Sequence, residues 1–89
     1  MDAFIGTISS GLRVTVQYEL TSGQHGIFRI FNQQGRLVHR QEVTGTGRQG
    51  TLAWDGADLT GKKSPSGLYI GRLESPGMKT RWLRLVLAR

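Results

Sequence analysis

Val14-Thr15-Val16-Gln17-Tyr18-Glu19-Leu20 alternates apolar and polar side chains at every step. A period of two belongs to extended backbone, whose successive side chains point to opposite faces. The stretch therefore predicts a strand with Val14, Val16, Tyr18 and Leu20 on a core face and Thr15, Gln17 and Glu19 on the other. The signal recurs along the chain. Phe4 to Ile8 predicts a weaker strand closed by Ser9-Ser10-Gly11, and Ile27 to Phe31 predicts another. Asn32-Gln33-Gln34-Gly35 has the composition of a hairpin turn and leads into a strand over Arg36 to Val43. Gly45 to Gly50 reads as a flexible loop, Thr51 to Trp54 as a short strand with Leu52 and Trp54 on one side, and residues 55–67 as irregular chain. A long hairpin closes the sequence: Leu68 to Glu74, the turn Ser75-Pro76-Gly77, then Lys79 to Ala88, where Leu83, Leu85 and Leu87 alternate with Trp82, Arg84 and Val86. No apolar period of 3.6 residues is long enough for a helix.

Short strands separated by turn residues predict an all-β chain: a small immunoglobulin-like β-sandwich of about seven antiparallel strands, as one domain over residues 1–89. A small barrel of the OB type is the alternative, although its usual helix has no candidate here. Residues sharing a strand phase give the expected core: Val14, Val16, Tyr18, Leu20, Phe28, Ile30, Leu52, Trp54, Tyr69, Leu73, Leu83 and Leu85.

Composition narrows the chemistry. With no cysteine the chain has neither a disulfide framework nor a thiol nucleophile, and thirteen glycines against two prolines suit a turn-rich β protein. Twelve Lys and Arg against six Asp and Glu give a net charge of +6, which favours acidic partners such as nucleic acid, anionic lipid or an acidic surface. Residues 45–89 hold eight basic and three acidic groups, so the positive charge lies mainly in the C-terminal half. No apolar run reaches the length of a membrane helix, and the first residues lack the pattern of a signal peptide.

Motifs for catalysis are weak. Gly45-Thr46-Gly47-Arg48-Gln49-Gly50 fits G-x-G-x-x-G, but the fingerprint cradles a pyrophosphate only where a strand leads into a helix, and here a strand follows. Gly56 to Lys63 falls one residue short of a phosphate-binding loop, with Lys63 in place of the metal-binding hydroxyl and Ser64-Pro65 blocking the helix. His25 in a loop and His39 in a strand have no nucleophile or orienting acid patterned around them, so neither catalytic residues nor cofactors are expected. Asp55 and Asp58 can cap loop amides or contribute to a calcium site, and the segment's few oxygen ligands favour caps.

Tyr18, Phe28, Trp54 and Tyr69 fall on core faces, whereas Trp82 is out of phase with Leu83 and Leu85 and stands beside Arg81 and Arg84. It should lie on an outer sheet face. There it either stacks on a ligand or a partner's ring, or lies covered by an arginine stem. The candidate partner-binding residues are Trp82, Arg72, Lys79, Arg81, Arg84 and Arg89.

The order of residues from Phe31 resembles a known family. Phe31-Asn32-Gln33-Gln34-Gly35-Arg36-Leu37-Val38 is similar to the hairpin of the Ig-like domain in the bacterial flagellar hook-cap protein, and to that of the related C-terminal sorting domains of type IX secretion cargo. Trp54-Asp55-Gly56, Asp58, Gly61, Pro65-Ser66-Gly67 and Tyr69 match the family's W-D-G-x-D-x-x-G-x-x-x-P-S-G-x-Y run, and the resemblance covers roughly residues 12–89. Two departures stand out: Asp2 to Ser10 lacks a Pro-Asn-Pro-Phe-like start, and Gly71 replaces the usual aromatic or β-branched residue, a space that a neighbour such as Trp54 would fill. Physical chemistry gives Gly35, Arg36, Trp54, Asp55, Gly56, Asp58, Gly61, Pro65, Gly67 and Tyr69 a structural role, as core aromatics, turn formers and loop caps.

The resemblance implies a non-enzymatic C-terminal module of a longer exported bacterial protein, at the cell surface or outside the cell. Its partner would be a protein of secretion, attachment or assembly machinery. The other class of function is a ligand-binding module that takes polysaccharide or nucleic acid on Trp82 and the arginines.

Overall fold

The computed structural model describes residues 4–9 and 13–88, with side chains from Arg13 to Ala88. Among these residues seven strands form two antiparallel sheets: β1 (Phe4–Ser9), β2 (Val14–Glu19), β3 (His25–Phe31), β4 (Leu37–Thr44), β5 (Gln49–Trp54), β6 (Gly67–Glu74) and β7 (Arg81–Leu87). One sheet has the order β1-β2-β5 and the other β4-β3-β6-β7. This is the small Ig-like sandwich, and two separate sheets exclude the closed barrel. The expected turn at Ser10-Gly11 lies outside the described residues.

Sequential hairpins make β3–β4 and β6–β7, while β2–β5 and β3–β6 pair strands distant in sequence. Val14 sits opposite Trp54 and Val16 opposite Leu52, so the alternation read along β2 lands on the alternation of β5. The buried core comprises Val14, Val16, Leu20, Phe28, Ile30, Val38, Val43, Leu52, Trp54, Tyr69, Leu73, Leu85 and Leu87. Ten of the twelve expected core residues are in it. Tyr18 and Leu83 are corrections: both are half-buried and pack against the core from its margin. Tyr18 lies near the end of β2 over Gly50, where a Cβ would come 2.6 Å from its ring, and Leu83 sits on the edge strand β7. Val38, Val43 and Leu87 join the core as well. Val38 and Val43 are five residues apart, an odd spacing that a regular strand would send to opposite faces. A register shift between Ile30 and Phe31, opposite Leu37 to His39, resets the phase of β4 and brings both valines inward.

The glycine-rich segment is not a loose loop. Gly45 donates its N–H to Gln24 O at 2.7 Å and accepts from Gly23 N at 2.9 Å, and Gly47 donates to Leu20 O at 3.0 Å. A side chain at Gly45 would collide with Leu20 and the Thr21 carbonyl. Glycine is there to let two loops touch, and Gln49-Gly50 already belongs to β5.

Candidate interaction surface

Three pairings set the outer face of the larger sheet. Arg29 pairs with Arg40 on β4 and Arg72 on β6, and Arg72 pairs with Trp82 on β7. These four side chains therefore form one row across the sheet. A second row holds Glu42, Ile27 and Glu74, and a third Leu37, Phe31, Ile70 and Arg84. Phase dictates the placement, since the same strands send Phe28, Ile30, Leu73 and Leu85 into the core.

Trp82 is 60% exposed, against 1% for Trp54. The Arg72 guanidinium carbon stands 4.8 Å from the centre of the Phe31 ring and 5.4 Å from that of Trp82, bridging the two aromatics. Cation–π contacts of this kind contribute about 0.5–2 kcal/mol each, depending on desolvation. Both expectations for Trp82 are thus partly met: an arginine covers one part of the indole, and most of the ring still faces outward. Glu74 holds the cations in place, with Oε1 accepting from Arg29 Nη1 at 2.7 Å and lying 2.8 Å from Arg72 Nε. The second contact is an ion pair without an aligned hydrogen bond. Arg40 faces Glu42 at 3.9 Å. Val86 and Leu68, paired across β6 and β7 and both exposed, extend the apolar part of the face.

Of the residues expected to bind a partner, Trp82, Arg72 and Arg84 share this face. Lys79 is exposed in the segment before β7. Arg81 pairs with Leu73, so its phase is that of the core side, and it is half-buried. Arg89 lies outside the described residues. Phe31 was missed as a site residue because nothing local marks its pairing with β6.

The family-signature residues build the end of the sandwich. Trp54 Nε1 donates to Ala57 O at 2.8 Å, Tyr69 donates its hydroxyl to Pro65 O, and the two rings meet edge-on at 5.1 Å. The core aromatics thus anchor the loop between β5 and β6 at both ends. Asp55 Oδ1 accepts from Ala57 N at 2.9 Å, while Asp58 Oδ1 accepts from Thr60 N, Thr60 Oγ1 and Lys62 N. Both aspartates cap their own loop, the first of the two roles expected of them. The Thr60 hydroxyl, followed by the Thr60 amide, holds the Asp58 carboxyl below its ordinary value, with Lys62 adding to the effect. Gly56 and Gly61 have φ of +85° and +86°, as their turns require. Asn32 Oδ1 caps the β3–β4 turn through Gln34 N and Arg36 N, with Gly35 at φ +82°. Among the described residues no cluster of His, Asp and Glu could hold a metal ion, and no helix is long and apolar enough to cross a membrane.

Comparison with known proteins agrees with this architecture. The family profile described as the FlgD Ig-like domain matches residues 5–75. A dimeric latent PorU from Porphyromonas gingivalis superposes with a TM-score of 0.73 at 20% identity, over 98% of this chain and 9% of PorU. PorZ, described as an essential bacterial surface component of the type IX secretion system of the same organism, superposes with a TM-score of 0.62 at 20% identity, over 98% of this chain and 11% of PorZ. The chain spans about a tenth of each of those proteins. No curated protein sequence matches it.

Proposed function

The chain belongs to the FlgD Ig-like domain family, and from that premise we propose that it is a non-catalytic C-terminal recognition module of an exported bacterial protein, engaged by secretion, attachment or assembly machinery at the cell surface or outside the cell. The observation that carries this reading is the Phe31–Arg72–Trp82 stack, displayed on a sheet face beside exposed Val86 and Leu68. Such a face has the composition of a protein-binding hot spot, with aromatic and arginine anchors whose conformations are set before the partner arrives. The occurrence of this fold within PorU and PorZ supports the type IX setting. Nucleic acid or polysaccharide is the competing occupant of the same face. Glu74 and Glu42 answer three of its arginines, which lowers the charge available to a polyanion.

The test fuses residues 1–89 behind a periplasmic reporter in a bacterium with type IX secretion. The reporter should reach the surface or the medium. Trp82→Ala and Arg89→Ala should each reduce export severalfold with the domain still folded, Trp82→Ala lowering the melting temperature by several degrees at most through the lost Arg72 contact. Retention of the reporter in the periplasm with the domain folded overturns the sorting reading. Binding of the isolated domain to an oligonucleotide, lost steeply with added salt, would transfer the face to nucleic acid.

A further inference from the structure

Beyond the Trp82 face, the β3–β4 turn and the β5–β6 loop enclose an open groove of about 590 Å³ at one end of the sandwich. That volume lies within the roughly 300–1,000 Å³ typical of ligand pockets. Arg36 lines it from one loop and Lys62 and Lys63 from the other. None of the three has a carboxylate within ion-pair distance among the described residues, in contrast to Arg29, Arg40 and Arg72. Among the described residues the one acid lining the groove, Asp58, is occupied by three hydrogen bonds within its own loop. Leu59 stands 63% exposed at the tip of that loop, and Leu68 lines the groove as well. The loop is closed by Asp58 N to Lys62 O at 2.7 Å, Gly61 N to Asp58 O at 3.0 Å and Ser64 N to Gly56 O at 2.7 Å. An apolar side chain is therefore held in water by a braced loop, among cations that have no carboxylate within ion-pair distance among the described residues. Holding it there costs little extra on binding, because the loop is already ordered.

We propose that this groove receives an acidic, extended peptide segment of a partner protein, its carboxylates meeting Arg36, Lys62 and Lys63 and an apolar side chain meeting Leu59 and Leu68. Charge complementarity selects an anionic occupant. The apolar lining selects a peptide over a nucleic acid, since the only aromatic lining the groove among the described residues, Tyr69, is buried and offers no open ring for a base to stack on. The groove adjoins the Trp82 face, sharing Leu68 with it, but its cations are different and Trp82 does not line it.

The probe is a labelled eight-residue peptide of alternating Glu and Leu, titrated into the full chain and followed by fluorescence anisotropy and amide chemical shifts. Saturable binding is expected, with shifts at residues 33–36 and 59–63 and weakening as salt rises. Lys62→Glu/Lys63→Glu should weaken binding at least tenfold, as should Arg36→Gln, and Leu59→Ser severalfold. All four side chains are exposed, so melting temperatures should hold; Lys62→Gln/Lys63→Gln repeats the measurement should the Glu pair unfold the domain. Trp82→Ala should bind as the parent does. Equal binding of a peptide with Gln in place of Glu, the same shifts at the same concentration of inorganic phosphate, or loss of binding in Trp82→Ala would each overturn the proposal.

Discussion

Phe28 on β3 fills the space above Gly71 on β6: a Cβ at Gly71 would stand 2.8 Å from Phe28 Cζ and 3.1 Å from Cε1, with Leu85 Cδ1 at 3.5 Å. The two residues are diagonal neighbours, since Phe28 pairs with Leu73 and Ile30 with Gly71. The family's usual bulky residue at this position is thus replaced by a ring from the next strand. Trp54, the expected filler, lies instead against Tyr69 and His39.

Gly71→Ala should therefore destabilise the domain by about 1–3 kcal/mol, the usual cost of overpacking, although alanine has the better strand geometry. Phe28→Leu added to Gly71→Ala should recover part of that loss. Urea unfolding with an unchanged slope would measure both. A Gly71→Ala variant as stable as the parent would mean that the ring has room to move.

Trp54→Ala should cost about 3–5 kcal/mol, enough to unfold a small domain, because it empties a fully buried site. It also orphans Ala57 O, the acceptor of the indole N–H. Trp54→Phe should cost less while still loosening the β5–β6 loop, visible as faster amide exchange at residues 57–63. An unchanged melting temperature in Trp54→Ala would contradict the core assignment.

Single-tryptophan variants should separate the two indoles. With Trp54 replaced by Phe, Trp82 emission should be red-shifted and readily quenched by acrylamide; with Trp82 replaced by Phe, Trp54 emission should be blue-shifted and protected. Equal shielding of the two would place Trp82 on the wrong face.

Asp58 links stability to pH. Its carboxyl is held below the ordinary 3.8 in the folded state by the Thr60 hydroxyl and amide, so the folded protein binds that proton less readily than the unfolded chain. The resulting stabilisation is fully present above the unfolded value and is lost as pH falls through the folded one. The melting-temperature gap between parent and Asp58→Ala should be constant at neutral pH and should narrow below about pH 4. A gap that widens on acidification would reject the capping role.

The two tryptophans show what alternation can supply. Leu52 and Trp54 share one phase and Trp82 opposes Leu83 and Leu85, so the burial of each indole follows from its neighbours in sequence. Alternation assigns a face but not a depth, which is why Tyr18 and Leu83 stop at the core margin. It also fails where the register breaks: nothing in Leu37-Val38-His39 announces the shift that turns Val38 inward. The binding surfaces were the least legible. Phe31 meets Arg72 through the β3–β6 pairing, and Arg36 comes opposite Lys62 and Lys63 because two loops far apart in sequence reach the same end of the sandwich. Those proximities are set by strand pairings across some forty residues, beyond any local pattern.

The interruption of β4 at Val38 bears on how the molecule avoids its own kind. β4 is an outermost strand, with one row of backbone donors and acceptors left open among the described residues. An uninterrupted edge would template an incoming strand along its whole length. Here the register shift breaks the repeat of N–H and C=O groups near its start, and Arg40 and Glu42 add charge farther along. A second chain could match only a few consecutive backbone bonds before losing step. The irregularity that carries Val38 into the core thereby also makes that edge of the domain a poorer template for strand addition.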